Sequence, residues 1–460
     1  MPTAPSNKSH SESLLSRANA HTSTINVAYR DGDCGAIRVT QSPEEKDVKK
    51  EMHSLRSQPS YKVDGGYKAW ATLTGGVLVV VVTFGYSNSF GVYQDVYTRS
   101  HAASASNVSW VGSTQLFFLL AMGLPAGKLL DMGYMRYTNL IGSLIYVFSL
   151  FMVSIAHPGI YYQVYLSQGI GLGIGAGLLY VPAVAVQAHH WRKHRALAMS
   201  AVAAGSSVGG IFFPIMLNQL FKSSVGFEWG VRASAFIVLG LLAVGNLLMA
   251  DNPAAKVQAE KPSVKSIFTD IPYVIITIGA FFILWGIFLP YFYLQLYAIL
   301  QGVDPNTAFY TLAIMNAGSI PGRIIPGFLA DRYGPFNNII PVLLANGVLI
   351  FALFGINTLA STIVFAIIYG FTSGAFLSLA GPATASLAQN PGEIGVRFGI
   401  LYFISSFGAL TGAPIAGALL GDTFVWSKLF IFGGVATMVG FTCFVVARQM
   451  LVKRKGSQIV

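Results

Sequence analysis

The sequence predicts an all-α membrane protein of twelve transmembrane helices in two parallel six-helix halves. Three observations predict it. The chain repeats itself at an offset of 200 residues: Gly127, Asp131, Pro182 and Pro214 recur as Gly327, Asp331, Pro382 and Pro414. Gly127-Lys-Leu-Leu-Asp131 pairs with Gly327-Phe-Leu-Ala-Asp331, each at the end of an apolar stretch. Hydrophobic residues make up 53% of the chain and charged residues 10%, against about 25% charged in soluble domains. Lysine and arginine fall almost entirely on one side of the apolar segments. A parallel duplication of a six-helix unit places a substrate site between the halves, near the bilayer midplane.

The elements follow in order. Residues 1–64 are rich in Ser, Lys, Glu and His and contain no apolar run. A signal peptide needs an apolar core of about 7–15 residues, so this segment reads as a disordered cytoplasmic tail. A spanning helix needs about 20 mostly apolar residues. In the N-terminal half, 65–250, the segments 69–93, 109–130, 137–156, 160–187, 197–221 and 231–250 qualify. On the first, Tyr86, Ser89 and Tyr93 share a face. The second ends in the first copy of the repeated phrase. The fourth carries Gly169, Gly171, Gly173, Gly175 and Gly177, which point in different directions and imply a thin, bendable helix. On the fifth, Gly205 and Gly209 lie on one face and permit a close crossing.

A short linker of mixed charge, 251–270, leads to the C-terminal half, 271–450, with spans at 271–297, 307–330, 337–356, 359–388, 398–421 and 426–447. The seventh span contains Pro290, which can bend the helix and open backbone carbonyls, followed by Tyr291, Tyr293 and Gln295. The eleventh has a polar patch of Tyr402, Ser405 and Ser406. Residues 451–460 form a second cytoplasmic tail.

Orientation follows from the excess of lysine and arginine in cytoplasmic loops. Ten precede the first span, and twenty-four in all lie on the side of the termini. Four lie opposite: Arg99, Lys222, Arg232 and Lys428. Both termini are therefore expected in the cytoplasm, with the plasma membrane the expected location. The net charge of +11 is a topology signal, and nucleic acid is not an expected partner. Asn107-Val-Ser109 would face outside and is a candidate glycosylation site.

Several classes are disfavoured. The sequence has no Gly-x-x-x-x-Gly-Lys-Ser/Thr loop, which argues against a primary pump. No inter-span loop exceeds about twenty residues, the size of a loop rather than of a catalytic domain. No nucleophile and base cluster within the bilayer, so an enzyme is not expected. His190 and His194 could share a helix face, but no carboxylate or cysteine lies near them, so neither metal nor cofactor is expected. Cys34 and Cys443 sit in unlike settings and are not expected to pair. A nontransporting sensor is the rival from another class.

Across the central parts of the spans, one charged side chain stands out: Arg323. At a helix centre an arginine costs about 2.5–3.5 kcal/mol on insertion scales, so such a residue usually faces a cavity. Asn316, Ser319 and Arg323 fall at i, i+3 and i+7, one polar stripe. The guanidinium fork matches a carboxylate at two points. The competing reading is an arginine that snorkels toward Asp331.

Four phrases carry a family resemblance: Asp64-Gly-Gly-Tyr-Lys-Ala-Trp70, the start of span five from Arg195 to Gly205, the span-four glycines ahead of Pro182, and Gly322-Arg323-Ile-Ile-Pro-Gly-Phe-Leu-Ala-Asp331-Arg-Tyr-Gly334. Together they resemble the monocarboxylate porter family of the major facilitator superfamily, in particular its fungal members. The resemblance covers nearly everything after residue 64. It implies that Arg323 takes part in binding the substrate anion. It also implies that Asp131 and Asp331 close an inner gate with cationic partners, here Arg136 and Arg332, and with a neighbouring helix N-terminus. A carboxylate gains about 0.3–1 kcal/mol at such a terminus.

Asn88 and Ser319 stand where proton-coupled animal members have a lysine and an aspartate, and neither titrates. The nearest titratable groups are Asp95 and His101, at the outer end of span one. The chain is thus expected to be a monomeric secondary transporter of a small organic acid, working by alternating access. Asn88, Tyr86 and Tyr402 are expected to join Arg323, Asn316 and Ser319 in the substrate site. The alternative is an efflux carrier for a larger acidic secondary metabolite.

Overall fold

The computed structural model describes residues 64–100, 105–251, 264–389, 393–421 and 425–460. The tail before residue 64, His101 and most of the expected linker (252–263) lie outside the described residues. Among the described residues eleven helices are long and apolar enough to cross a membrane: α1 (Tyr67–Arg99), α2 (Asn107–Asp131), α3 (Met135–Ile155), α4 (Tyr161–His190), α5 (Arg195–Lys222), α6 (Gly226–Leu248), α7 (Ile271–Leu300), α9 (Pro335–Gly355), α10 (Leu359–Leu387), α11 (Ile394–Leu420) and α12 (Trp426–Lys455). α8 (Thr311–Tyr333) is of comparable length. It is less apolar because Asn316, Ser319, Arg323, Asp331 and Arg332 dilute its aliphatic content. The twelve-helix expectation holds, and its weakest span by hydropathy carries the central cation.

α1–α6 pack among themselves, as do α7–α12, and the two groups meet chiefly along α5–α8 and α2–α11. Glycine sets how closely the helices approach. A methyl group added to Gly205 would lie 2.6 Å from the carbonyl oxygen of Val77, and one on Gly85 would lie 2.7 Å from the Gly209 Cα. This is the close α1–α5 crossing that the Gly205/Gly209 spacing predicts. The alternating glycines of α4 divide between two neighbours. Gly169, Gly173 and Gly177 face α2 at Val111, Gln115 and Phe118, while Gly171 and Gly175 face α3 at Ser149 and Tyr146. The residues that point in different directions therefore wedge one helix between two others. Within α4 the stretch Tyr165–Leu172 is π-helical.

Helix breaks shape the space between the halves. α1 is interrupted at Thr83, whose hydroxyl turns back onto the Val79 carbonyl at 2.8 Å, and again at Asn88 and Ser89. α7 is interrupted at Phe288, and Pro290 sits in the first turn of its second piece, where a missing N–H costs little. The helix is thus interrupted two residues before Pro290, next to the position where a bend was expected.

α8 and α10 are also tightly apposed: Gly318 and Gly322 abut the backbone of Ile367 and Phe371, and Gly370 abuts that of Met315. Replacing Gly370 with valine drives a branched side chain into that backbone, an overpacking cost of about 1–3 kcal/mol. The expected outcome is a lower melting temperature of the detergent-solubilised protein; an unchanged one would contradict this packing.

Candidate substrate cavity and closing contacts

A cavity of ≈ 190 Å³ lies between the halves, in the part of the bundle remote from the chain termini. It is walled by the second half of α1, the first half of α2, the second piece of α7 and the start of α8. Its polar groups include Asn88, Gln94, Gln115, Tyr293, Gln295 and Thr311; Phe84, Phe90, Phe288 and Phe292 supply aromatic surface. None of its described lining residues is Asp, Glu, Lys, Arg or His. Gln115 donates to the Ser87 hydroxyl at 3.2 Å, and its buried carbonyl oxygen has no hydrogen-bond partner among the described residues. A buried amide acceptor left unpaired is costly, so this group is available to a ligand donor.

Arg323 is not part of that lining. It lies two turns deeper along α8 from Asn316, buried at 4% exposure. Its Nε donates to Ser319 Oγ at 3.0 Å and its Nη1 to the Ala203 carbonyl of α5 at 2.8 Å. Ser319 in turn accepts from Ser207 of α5 at 3.0 Å. No described carboxylate pairs with the guanidinium, and the snorkelling alternative toward Asp331 is not the geometry found. Arg323 thus bridges the halves through neutral oxygens. Asn316 sits nearer the cavity and donates to the Gly210 carbonyl of α5 at 3.4 Å. Asn88 comes up to the same glycine.

At the end of the bundle that carries the described termini, two carboxylates cross between the halves. Asp131 accepts from the backbone N–H of Gly395 at 3.1 Å and of Val396 at 2.7 Å, in the first turn of α11. Asp331 accepts from those of Ala196 at 2.8 Å and Leu197 at 3.0 Å, in the first turn of α5. Helix N-termini offer free donors and a positive dipole end. The partners repeat as the aspartates do, since Ala196 and Val396 are themselves 200 residues apart. Gly127 backs onto Gly395 and Gly327 onto Ser200, so a side chain at either glycine would force the halves apart.

Other expected site residues are placed elsewhere. The Tyr86 hydroxyl bonds to Tyr93 and to Ser234 of α6 inside the N-terminal group, away from the cavity. Tyr402 packs edge-on against Tyr180 of α4 and Phe398, between the halves and outside the cavity lining, but within electrostatic reach of Arg323, as are Tyr180 and Tyr291. Arg136 and Arg332 are exposed, and the structure records no ion pair from either to Asp131 or Asp331; Arg332 lies over the Tyr333 ring. Asn107 is exposed near the start of α2. Asp95 pairs with Arg99 on the surface.

A second buried cation lies one residue before the expected eleventh span, 398–421, and so outside the segments searched for buried charge. Arg397, in the first turn of α11, is fully buried; it meets Asp270 at 2.7 Å and Glu393 at 3.0 Å. Arg454 of α12 reaches the other oxygen of Asp270 at 3.1 Å. The Tyr273 hydroxyl donates to the Arg397 carbonyl at 2.6 Å. This network fixes the same helix start that receives Asp131.

Twelve membrane-crossing helices, in two groups that meet around a cavity, define a secondary transporter. The chain belongs to the major facilitator superfamily, whose pattern matches residues 75–390. It is 39% identical over 415 residues to MFS-type transporter 1 of Ophiocordyceps sp., covering 89% of this chain and 91% of that one. It is 39% identical over 383 residues to the Aspyridones efflux protein apdF of Emericella nidulans, covering 82% and 77%. The solved structure of the human organic anion transporter MFSD10 superposes with a TM-score of 0.62 at 14% identity, covering 82% of this chain and 98% of that one, a likeness of fold. These findings reach the superfamily and its fungal transporters. They do not single out monocarboxylate porters.

Removing one member of a buried ion pair costs about 3–5 kcal/mol because it strands the other charge. Arg397→Met is therefore expected to lower the melting temperature strongly. Adding Asp270→Asn and Glu393→Gln should recover much of the loss; a triple variant no better than the single one would contradict the network.

Proposed function

We propose that the protein is an efflux carrier for a bulky secondary metabolite bearing an acidic group. The observation that carries this reading is the cavity: neutral among its described residues, aromatic and amide-rich, with Arg323 of α8 sealed beneath it. A water needs about 10–15 Å³ of such space, so ≈ 190 Å³ exceeds what a three-carbon acid requires. A site built chiefly for lactate or pyruvate would be expected to present its arginine to the open cavity. Relatives named as efflux proteins support the same direction.

In this reading the described state faces outward, and the two aspartate contacts and the Arg323–Ala203 bond form the closed inner side. Rocking of the halves separates α5 from α8 and exposes Arg323 to the cytoplasmic side. There it receives the acid group while Asn88, Gln115 and the aromatic residues accommodate the rest. On return the Ala203 carbonyl and Ser319 reclaim the guanidinium, and the substrate is left in a cavity with no positive charge to hold it. Loss of a hydrogen bond to a charged group is worth about 1.5–3 kcal/mol.

Cells expressing the Arg323→Ala variant should therefore export an acidic metabolite at least about tenfold less efficiently than wild type at matched surface levels. Equal export would remove the arginine from the mechanism. Since the described residues of the cavity lining include no proton carrier, export of the anion should also carry charge. A negative-inside potential then favours outward movement by about 2.3 kcal/mol per elementary charge per 100 mV. Substrate-dependent current in a patched membrane checks this; an electroneutral flux abolished by raising pH would refute it.

A further inference from the structure

A second large concavity, ≈ 710 Å³, lies between α3 and α6. It shares no lining residue with the central cavity, so it is not a branch of the substrate path. Its polarity is graded along its length. Arg136 stands at the rim beside the described termini, Asn139, Ser143 and Asn246 follow, and beyond Val147 on α3 the wall is apolar as far as Phe151. From Arg136 to Phe151 is fifteen residues, about 22 Å of helix. That matches half of a bilayer measured with its headgroups, about 20–22 Å. Tyr134 and Tyr137 are exposed on either side of Arg136 in sequence, as tyrosines are at the headgroup level.

The polar end carries unmet hydrogen bonding. Asn139 is 2% exposed; its Nδ2 reaches only the Met249 sulfur at 3.8 Å, and its Oδ1 has no partner among the described residues. Asn246 donates to Ser143 at 2.8 Å, and its Oδ1 is likewise buried without a described partner. The carboxamide χ2 torsion is soft, so either oxygen can turn to a donor in the groove without moving its helix. Among the described residues the lining contains no acidic side chain, and Arg136 is its single cation. An occupant that suits this pattern has an anionic group for the guanidinium fork, hydroxyl donors one turn deeper, and a chain for the apolar remainder.

We propose that the α3–α6 groove binds an anionic phospholipid of the leaflet on the side of the termini, one whose headgroup carries free hydroxyls, of the phosphatidylinositol type. The phosphate meets Arg136, ring hydroxyls donate to the oxygens of Asn139 and Asn246, and one acyl chain runs along Val147, Phe148 and Phe151. Basic pockets between helices on that side of a membrane suit such headgroups. Arg136, expected from the sequence to act at the gate, takes a lipid-facing role instead.

The test is native mass spectrometry of the full chain in mild detergent with equimolar phosphatidylinositol, phosphatidylserine and phosphatidylcholine. Wild type should retain phosphatidylinositol about tenfold over phosphatidylcholine, with phosphatidylserine between them. Arg136→Gln, a surface change, should bring both anionic lipids to the phosphatidylcholine level. The pair Asn139→Leu and Asn246→Leu should erase the preference for phosphatidylinositol over phosphatidylserine but keep both above phosphatidylcholine. Ala243→Trp, which fills the groove, should lower phosphatidylinositol retention with Arg136 intact. Equal retention of the three lipids by wild type, or retention indifferent to Arg136→Gln or to Ala243→Trp, would overturn the proposal and leave ordinary annular lipid.

Discussion

Two carboxylates, each seated on the first amides of a helix from the opposite half, hold the rest of the arrangement in place. Asp131 on α11 and Asp331 on α5 are the same contact made twice, exchanged between halves. Each joins a negative charge to N–H groups that a helix start leaves unpaired. Charge-assisted bonds of this kind are roughly twice as strong as neutral ones. The glycines one turn earlier, Gly127 and Gly327, let the backbones come close enough for the bonds to form. With this end drawn together, the space between the halves is left at the other end, and the cavity is found there.

The placement of Arg323 follows from the same closure. An arginine at mid-membrane needs acceptors, and with α5 drawn against α8 it finds them in the Ala203 carbonyl and Ser319. Neutral acceptors satisfy its donors without neutralising its charge. The site therefore holds a cation that has hydrogen bonds but no counter-ion among the described residues, which is the state an anionic group can improve. Arg397, by contrast, has two carboxylates and is structurally committed. The two buried arginines differ less in burial than in what surrounds them, and only the first is left with something to gain from a ligand.

Much of this was legible in the sequence. The repeat of glycine, aspartate and proline announced two similar halves, and the Gly205/Gly209 spacing announced a close crossing. The alternating glycines of α4 were correctly seen to point several ways, though not that α2 and α3 each take one set. Other features were hidden for physical reasons. The resemblance implied two kinds of partner for the aspartates, the cations Arg136 and Arg332 and a neighbouring helix N-terminus; the recorded bonds go to helix-start amides, and which residues supply them was hidden because every residue but proline carries such an amide. Tyr86 and Tyr93 shared a face as expected, but that face turns to α6 and a buried hydroxyl network. Arg397 read as a loop residue because hydropathy cannot tell a cation facing solvent from one facing Asp270. Gln115 was passed over inside an apolar span, although an amide in that position was itself a signal.

In the proposed cycle the aspartate–helix contacts hold the side bearing the termini closed. Pulsed electron resonance between spin labels at Lys193 and Arg332, both exposed and flanking the Asp331 contact, measures that closure directly in reconstituted protein. Wild type should show a dominant short distance, and the population should shift to longer distances when Asp131 and Asp331 are both changed to asparagine. A distance distribution that stays the same after both changes would contradict it.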